Sequence, residues 1–459
     1  MRLPDVPRAP GGLPVLGHAL PFIRDPLRFM SSLPAVGDLV ELRLGPMTMY
    51  MACDPDLTWQ VLTNDKVFDK GGLLFTRLRE VGGNGLITCA HRDHRRQRRL
   101  IQPAFQAQKI KGYAAAIAAQ TEGVIAGWHD GQVVDVPADM LVLTSNAVVE
   151  TIFSSSLTPR LRTQYAHDLT VLMSSILWRT LAPWPLTALP TPGNRRSERA
   201  LRRLRANLAE VIEGRRREQI GTGDLLASLL SARDPESGDG ARASRFSDDE
   251  IGDQLVTFFV AGSETTANTL AWALYLLARH PDVQEQVQRD VDAVLGGRPP
   301  TVEDVPRLDL VGRVLLETLR MYPTGPLFFT REVTAEARLG AHVLPAGTTV
   351  AYSPYLTHRR PDLYPDPDRF DLDRTYPRRA YIPFAVGARK CIGDNFAMTE
   401  TTLALAAILA RWTVEPLSDA EVRPAFAISL RPHRLRLRVT ARAPAATAAT
   451  TAALQGPNA

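Results

Sequence analysis

Between Ile251 and Pro281 the chain reads IGDQLVTFFVAGSETTANTLAWALYLLARHP, helical in spacing and apolar on nearly every face. A helix of that kind belongs inside a core, so the rest of the chain has to wrap it. At 459 residues, 45% of them hydrophobic and 22% charged, the chain has the material of an ordinary globular protein with a large core. Glu264, Thr265, Thr266 and Asn268 interrupt the run and make it too polar at its middle to span a membrane. Buried polar groups need partners or a purpose. Thr265 lies four residues after Ala261, so its hydroxyl can bond the Ala261 carbonyl and, helped by Gly262, loosen the local ladder. Phe258, Ala261 and Thr265 share one face at helical spacing.

A second stretch carries chemistry of its own. In PFAVGARKCIG, Cys391 follows Arg389 and Lys390 and lies between Gly387 and Gly393, which let the backbone approach a flat ligand. Neighbouring cations favour the thiolate, the form that ligates iron. The residues after Gly393 have helical apolar spacing, which places the sulfur near a helix N-terminus. The bland alternative for a lone cysteine is a buried structural thiol.

The pattern F-x-x-G-x-R-x-C-x-G, met at every fixed position from Phe384 to Gly393, resembles the haem-binding loop of the cytochrome P-450 superfamily. Four further segments resemble that family in the expected order. HRDHRRQRRLIQPAF places His94 and Arg98 one helical turn apart, as in its C-helix; A-G-x-E-T-T at Ala261 matches its acid-alcohol motif. LLETLRMYP carries Glu317 and Arg320 as E-x-x-R, and PDRF follows at Pro367 to Phe370. The resemblance implies a mainly α fold with small β-sheets, a long central helix crossing a haem, and one catalytic domain over residues 1–440. It implies haem b with Cys391 as axial ligand, and His94, Arg98, Arg331 and Arg389 on the haem propionates. It also implies O2 as co-substrate, with Thr265 and Glu264 relaying protons so that the O–O bond breaks heterolytically. Arg369 is expected to complete a buried triad with Glu317 and Arg320.

Elsewhere the pattern is coarser. DLVELRLGPMTMYMACD reads as a β-hairpin. Lys70 to Leu86 reads as a glycine-punctuated loop whose apolar residues, Leu74 and Phe75 among them, face a pocket. Residues 106 to 182 read as helical, followed by a proline-rich break, PWPLTALPTPGN, and a charged helix from Arg195 to Gln219. Leu327, Phe328 and Phe329, just before Arg331, suit a pocket-lining strand, and Phe426 to Ile428 a hairpin tip at the pocket. The candidate pocket residues Leu74, Phe75, Phe258, Ala261, Leu327, Phe328 and Phe426 are all apolar, which favours a neutral, hydrocarbon-like substrate. The N-terminal and C-helix strings resemble actinobacterial members acting on sesquiterpenes, so hydroxylation of a cyclic terpenoid in secondary metabolism is the expected reaction.

Three cysteines are too few for a disulfide framework, and no apolar run near the start suggests a signal peptide or membrane anchor. A soluble cytoplasmic protein is expected. A formal charge of +5 is too small to argue for nucleic acid. Five arginines crowd into His91 to Arg99, some of them on a solvated helix face. No flavin or nicotinamide fingerprint is visible, so electrons are expected from a separate ferredoxin and its reductase, docking against Arg95, Arg96, Arg389 and Lys390. The alternatives are a peroxide-driven fatty-acid hydroxylase and a haem-based sensor or carrier without turnover. Residues 441–459, rich in Ala and Thr, read as a disordered tail.

Overall fold

The computed structural model describes residue 3 and residues 5–443, except positions 46, 155–159, 219–222, 237–243, 326, 427–428 and a scatter of positions within 162–188. The described helices are α1 (Ala19–Arg24), α2 (Pro26–Ser31), α3 (Pro55–Thr63), α4 (Gly72–Gly82), α5 (His91–Ile101), α6 (Ala107–Ile125), α7 (Val136–Phe153) and α8 (Pro192–Glu218). They continue as α9 (Leu225–Ser231), α10 (Asp248–Arg279), α11 (Pro281–Leu295), α12 (Asp309–Met321), α13 (Pro354–Thr357) and α14 (Asp394–Arg411). The fold is mainly α with small β-sheets, as the sequence predicts.

The long helix, α10, runs 32 residues without a break. Its start is fixed by a capping box in which the Ser247 side chain accepts the Glu250 N–H and the Glu250 side chain accepts the Ser247 N–H. Trp272, fully buried, stacks on Tyr322 with ring centroids 3.8 Å apart, and Leu270, Ala271, Ala273 and Leu274 are buried with it. Helix α7 crosses so closely that a Cβ at Gly262 would stand 2.9 Å from Val148 Cγ2. Thr144 of α7 donates to the Ser263 carbonyl at 2.8 Å. Val136–Phe153 has the length and apolarity of a membrane span, and 61% of it is buried inside the protein, which fits a core helix.

A five-stranded sheet in the order β1-β2-β8-β5-β3 forms one edge, built from β1 (Leu39–Leu44), β2 (Met47–Ala52), β3 (Phe68–Asp69), β5 (Phe329–Val333) and β8 (Thr349–Tyr352). Its β1–β2 pairing is the expected hairpin, with Leu39 opposite Ala52, and Arg331 sits opposite Val350 on β8. Smaller pairings join β10 (Pro424–Phe426) to β11 (Leu430–Pro432), and β12 (Arg436–Ala441) to both β4 (Val133–Asp135) and β9 (Trp412–Pro416).

Two sequence expectations are corrected here. The stretch Lys70 to Leu86 is no loop: its middle forms α4, which opens on Gly72 at φ 81° and is capped by Gly83 at φ 58°. The helical reading of 106 to 182 is interrupted by β4, which pairs with β12 far along the chain. The first half of the proline-rich break (183–188) and the tail from 444 lie outside the described residues.

Candidate active site

Cys391 sits between a short turn at Gly387–Arg389 and the first residue of α14. Its N–H donates to the Phe384 carbonyl at 2.9 Å, closing a tight loop. Gly387 is required for a reason other than ligand approach. It has φ 75°, and a Cβ there would lie 2.5 Å from the Leu62 carbonyl of α3. Gly393 serves as the N-cap of α14 at φ −95°. The sulfur faces a cavity. Burial pushes the thiol up; the Gly393 N–H and the charges of Arg98 and Lys390 hold it down, while Asp394 adds to the rise.

That cavity measures about 360 Å³, in the range of a small-molecule or cofactor site. Thr265, Glu264, Ala261 and Phe258 reach it from α10, and Leu74 and Phe75 from α4. His94, Arg98, Arg331, Arg389 and Cys391 line it too. Thr265 Oγ1 donates to the Ala261 carbonyl at 2.7 Å, the bond its spacing predicts. Glu264 Oε1 accepts from the Ser429 hydroxyl, and Asn268 Nδ2 reaches Ser429 Oγ at 3.0 Å. The acid is thus clamped by a residue 165 positions away, just before β11.

Two pocket expectations need revision. Phe328 lies just before β5 and packs edge-on against Phe22 in the main core, at 6.0 Å between ring centroids. Leu327 is also in that core, its carbonyl accepting the Ser353 hydroxyl at 2.6 Å. Phe329 lines the cavity in their place, because it stands two residues from Arg331 and strand side chains alternate. The Phe426 side chain lies outside the described residues.

The basic end of the cavity holds four cations, Lys70, Arg98, Arg331 and Arg389, against the carboxylates of Asp65 and Asp69. Arg389 is spoken for: its Nη2 lies 2.8 Å from Asp69, its Nε 3.4 Å from Asp65, and its Nη1 donates to the Cys89 carbonyl. Arg331 is different. It is 2% exposed, and its Nε and Nη1 have no hydrogen-bond partner among the described residues. A buried guanidinium left in that state is costly, and an anion in the cavity would satisfy it. Burial with the charges of Arg331 and Arg389 drives the Lys70 ammonium well below the usual lysine range, a second sign that this end is built for negative charge. Burial, Arg389 and Arg98 push His94 down to about 3, so its ring is neutral and offers a hydrogen bond rather than a charge. Arg98 donates to the Lys390 carbonyl at 2.7 Å, tying α5 to the cysteine loop. The donor set fits a dianionic, flat, iron-bearing group with the sulfur on the metal.

Behind the loop lies the Glu317 network, and it corrects another expectation. Arg320 binds Glu317 twice at 2.8 Å. The second guanidinium is that of Arg374, with Nε 2.9 Å from Glu317 Oε1. Arg369 contributes only its carbonyl, which accepts from Arg320 and Arg374. Arg320 also bonds the His358 carbonyl, and the His358 ring accepts the Ile382 N–H at 2.9 Å, two residues before Phe384. Rigidity thus passes from the buried carboxylate to the sulfur. Lys70, Ser429 and Arg374 escaped the sequence reading, and none of them had a local signal; Phe329 was read there as part of the pocket-lining strand, as the structure has it.

Residues 7–439 match the cytochrome P450 family. The chain is a cytochrome P450. It is 44% identical over 444 residues to pentalenene oxygenase of Streptomyces avermitilis, covering 95% of this chain and 97% of that one. It is 46% identical to the cyclooctat-9-en-7-ol 5-monooxygenase of Streptomyces melanosporofaciens, covering 89% of each. Among solved structures, the haem domain of cytochrome P450DA superposes with a TM-score of 0.85 at 30% identity, covering 97% of this chain and all of that one. This P450 is accordingly a haem- and O2-using monooxygenase.

Proposed function

We propose that this P450 hydroxylates a cyclic, apolar terpenoid, with haem b held by Cys391 and electrons supplied by a separate ferredoxin. The observation that carries the reading is the cavity itself. One end presents the Cys391 sulfur and two unsatisfied guanidinium nitrogens of Arg331, and α10 presents the Thr265–Glu264 pair to the same space. The relatives' names, pentalenene oxygenase and cyclooctat-9-en-7-ol 5-monooxygenase, support the substrate class. So do Leu74, Phe75, Phe258 and Phe329, which give the cavity an apolar lining.

Bound haem supplies the reductive activation of O2; what remains falls to the chain. Cys391 donates electron density to the metal. His94, Arg98, Arg331 and Lys70 bind and orient the carboxylates, and Arg389, held by Asp65 and Asp69, fixes the wall behind them. Thr265 presents its oxygen to the cavity with its proton committed to Ala261. Glu264, oriented by Ser429 and Asn268, moves a proton toward Thr265. The apolar side chains exclude water and would set which carbon is presented on the α10 side of the cavity, where Thr265 and Glu264 stand.

Residues 1–440 form the catalytic domain in this reading, and the protein works as a soluble cytoplasmic enzyme. Of the four residues expected to meet the ferredoxin, Arg389 is buried and cannot, and Arg96 is paired with Glu250 at 2.6 Å. Arg95 and Lys390 also meet acids, Glu236 at 3.7 Å and Asp394 at 2.5 Å, but keep side chains 80% and 50% exposed, against 24% for Arg96, and remain the candidates for an acidic partner.

The test is the carbon monoxide difference spectrum of the reduced protein beside Cys391→Ala, followed by titration with cyclic terpene hydrocarbons. The expected result is the red-shifted Soret band of thiolate ligation, lost in the variant, and a spin-state shift with the hydrocarbons. A short-wavelength band in folded native protein would overturn the cysteine assignment. A spin shift with charged ligands alone would overturn the substrate class.

A further inference from the structure

Ten large apolar side chains stand exposed among the described residues, and five of them fall between positions 13 and 23: Leu13, Val15, Leu16, Leu20 and Ile23. Scattered exposed hydrophobes need no explanation, but a concentration of this kind does. The backbone beneath is firmly built. Leu13 and Gly17 exchange N–H···O bonds of 2.8 and 2.9 Å, making a tight hairpin with Pro14, Val15 and Leu16 at its tip. Gly17 has φ 58°, and a Cβ there would lie 2.3 Å from the Arg43 carbonyl, so only glycine lets the hairpin sit down on β1. His18, 1% exposed, staples it from below by bonding the Ala9 carbonyl at 2.8 Å and the Arg43 N–H at 3.0 Å.

On this rigid base Val15 adopts φ 64°. A β-branched residue in the left-handed region is an outlier that costs stability, and here the strain brings no burial, since Val15 is 78% exposed. Folding alone does not account for a strained backbone that holds an apolar side chain out in water. Leu20 and Ile23, 40% and 65% exposed, stand three residues apart on one face of α1 and continue the apolar surface.

The rim selects among possible covers. From Arg8 to Arg24 the sequence contains no Asp or Glu. Exposed Arg24, Arg28 and Arg43 flank the knuckle, with Asp25 the nearby exposed acid and the Arg8 charge taken up by Glu41 at 2.9 Å. An apolar tip ringed by cations complements an anionic lipid surface, where a few inserted side chains and basic neighbours add up. A stable protein interface needs roughly 800 Å² per partner, more than a hairpin tip and one short helix face offer.

We infer that the Leu13–Ile23 knuckle is a peripheral membrane-docking element that inserts Val15, Leu16 and Ile23 among anionic phospholipids, with Arg24, Arg28 and Arg43 on the headgroups. This stands independently of the substrate reading.

The experiment is flotation of the full-length, haem-loaded protein with vesicles of phosphatidylcholine alone or mixed with phosphatidylglycerol. Binding to the anionic vesicles that weakens with salt is expected. Val15→Ser with Leu16→Ser should cut the partition coefficient roughly tenfold or more, and Arg24→Gln about fivefold, with the carbon monoxide spectrum unchanged. Val15→Gly separates docking from folding: it relieves the strained φ, so it should raise the melting temperature while lowering vesicle binding. Three results would overturn the inference. One is no flotation with anionic vesicles at low salt. Another is equal binding by Val15→Ser/Leu16→Ser. The third is a dimer in solution, abolished by the same variant, in protein that ignores vesicles, which would make a second copy the cover.

Discussion

At Glu317 two guanidinium groups, Arg320 and Arg374, share one fully buried carboxylate, and Tyr376 donates a third contact at 3.1 Å. Removing one partner strands charge where water cannot screen it. Arg374→Ala is therefore expected to lower stability by about 3–5 kcal/mol. Arg369→Ala, which keeps the carbonyl that matters, should stay within about 0.5 kcal/mol. Urea midpoints of the two variants decide between them, and equal losses would contradict the geometry. His358 supplies a second residue-level test. Burial and the charge of Arg320 push it down to about 3 from 6.5. Between those values the unfolded chain binds a proton that the native protein refuses, so stability falls as pH drops below about 6.5, by up to about 1.4 kcal/mol per pH unit. His358→Gln keeps an acceptor for the Ile382 N–H and removes the titration. Urea unfolding across that range should show a slope reduced by close to one proton.

Helix α10 and the β10–β11 hairpin meet at the proton-handling group. Trp272 Nε1 donates to the Leu430 carbonyl at 3.0 Å, and Ser429 beside it holds Glu264. A hairpin thus positions an acid that belongs to a helix. Ser429→Ala is expected to cost about 1 kcal/mol of stability, to raise the electrons consumed per product, and to shift the pH profile of turnover, with Ser429→Thr restoring both. Unchanged coupling would leave the serine a purely structural contact. Helix α5 shows the same dependence between elements. Of its five arginines, Arg96 reaches Glu250 and Arg99 reaches Asp234 at 2.9 Å, so two of the presumed solvated charges join α5 to the segment that starts α10. The helix α4 was hidden because Gly71, Gly72, Gly82, Gly83 and Gly85 crowd its ends and read as loop; its interior, LLFTRLREV, forms a helix because Leu74, Phe75 and Val81 find burial there.

Across the whole molecule, the cavity's charge comes from places far apart in sequence: Lys70 before α4, Arg98 on α5, Arg331 on β5 and Arg389 beside the cysteine. Lys70→Gln removes one cation without touching the sulfur. It should speed haem loss to a scavenging apoprotein roughly tenfold while leaving the thiolate Soret band in place. An unchanged loss rate would show that Lys70 does not meet the carboxylates.

How much of this was legible follows from distance along the chain. The Thr265–Ala261 bond, the Glu317–Arg320 pair, the cysteine loop and the His94–Arg98 turn lie within ten residues of themselves, and helix or turn geometry fixes such neighbours before any tertiary contact forms. The family resemblance rested on the same short strings, and the mainly α fold followed from a helix too apolar to sit anywhere but a core. What the tertiary structure decided was every choice between near neighbours: Phe329 over Phe328, Arg374 over Arg369, Asp65 and Asp69 as the keepers of Arg389, and Ser429 as the partner of Glu264. Those choices depend on which face of a strand or loop meets a distant element, and packing, in which one residue of offset exchanges core for cavity, is what sets them.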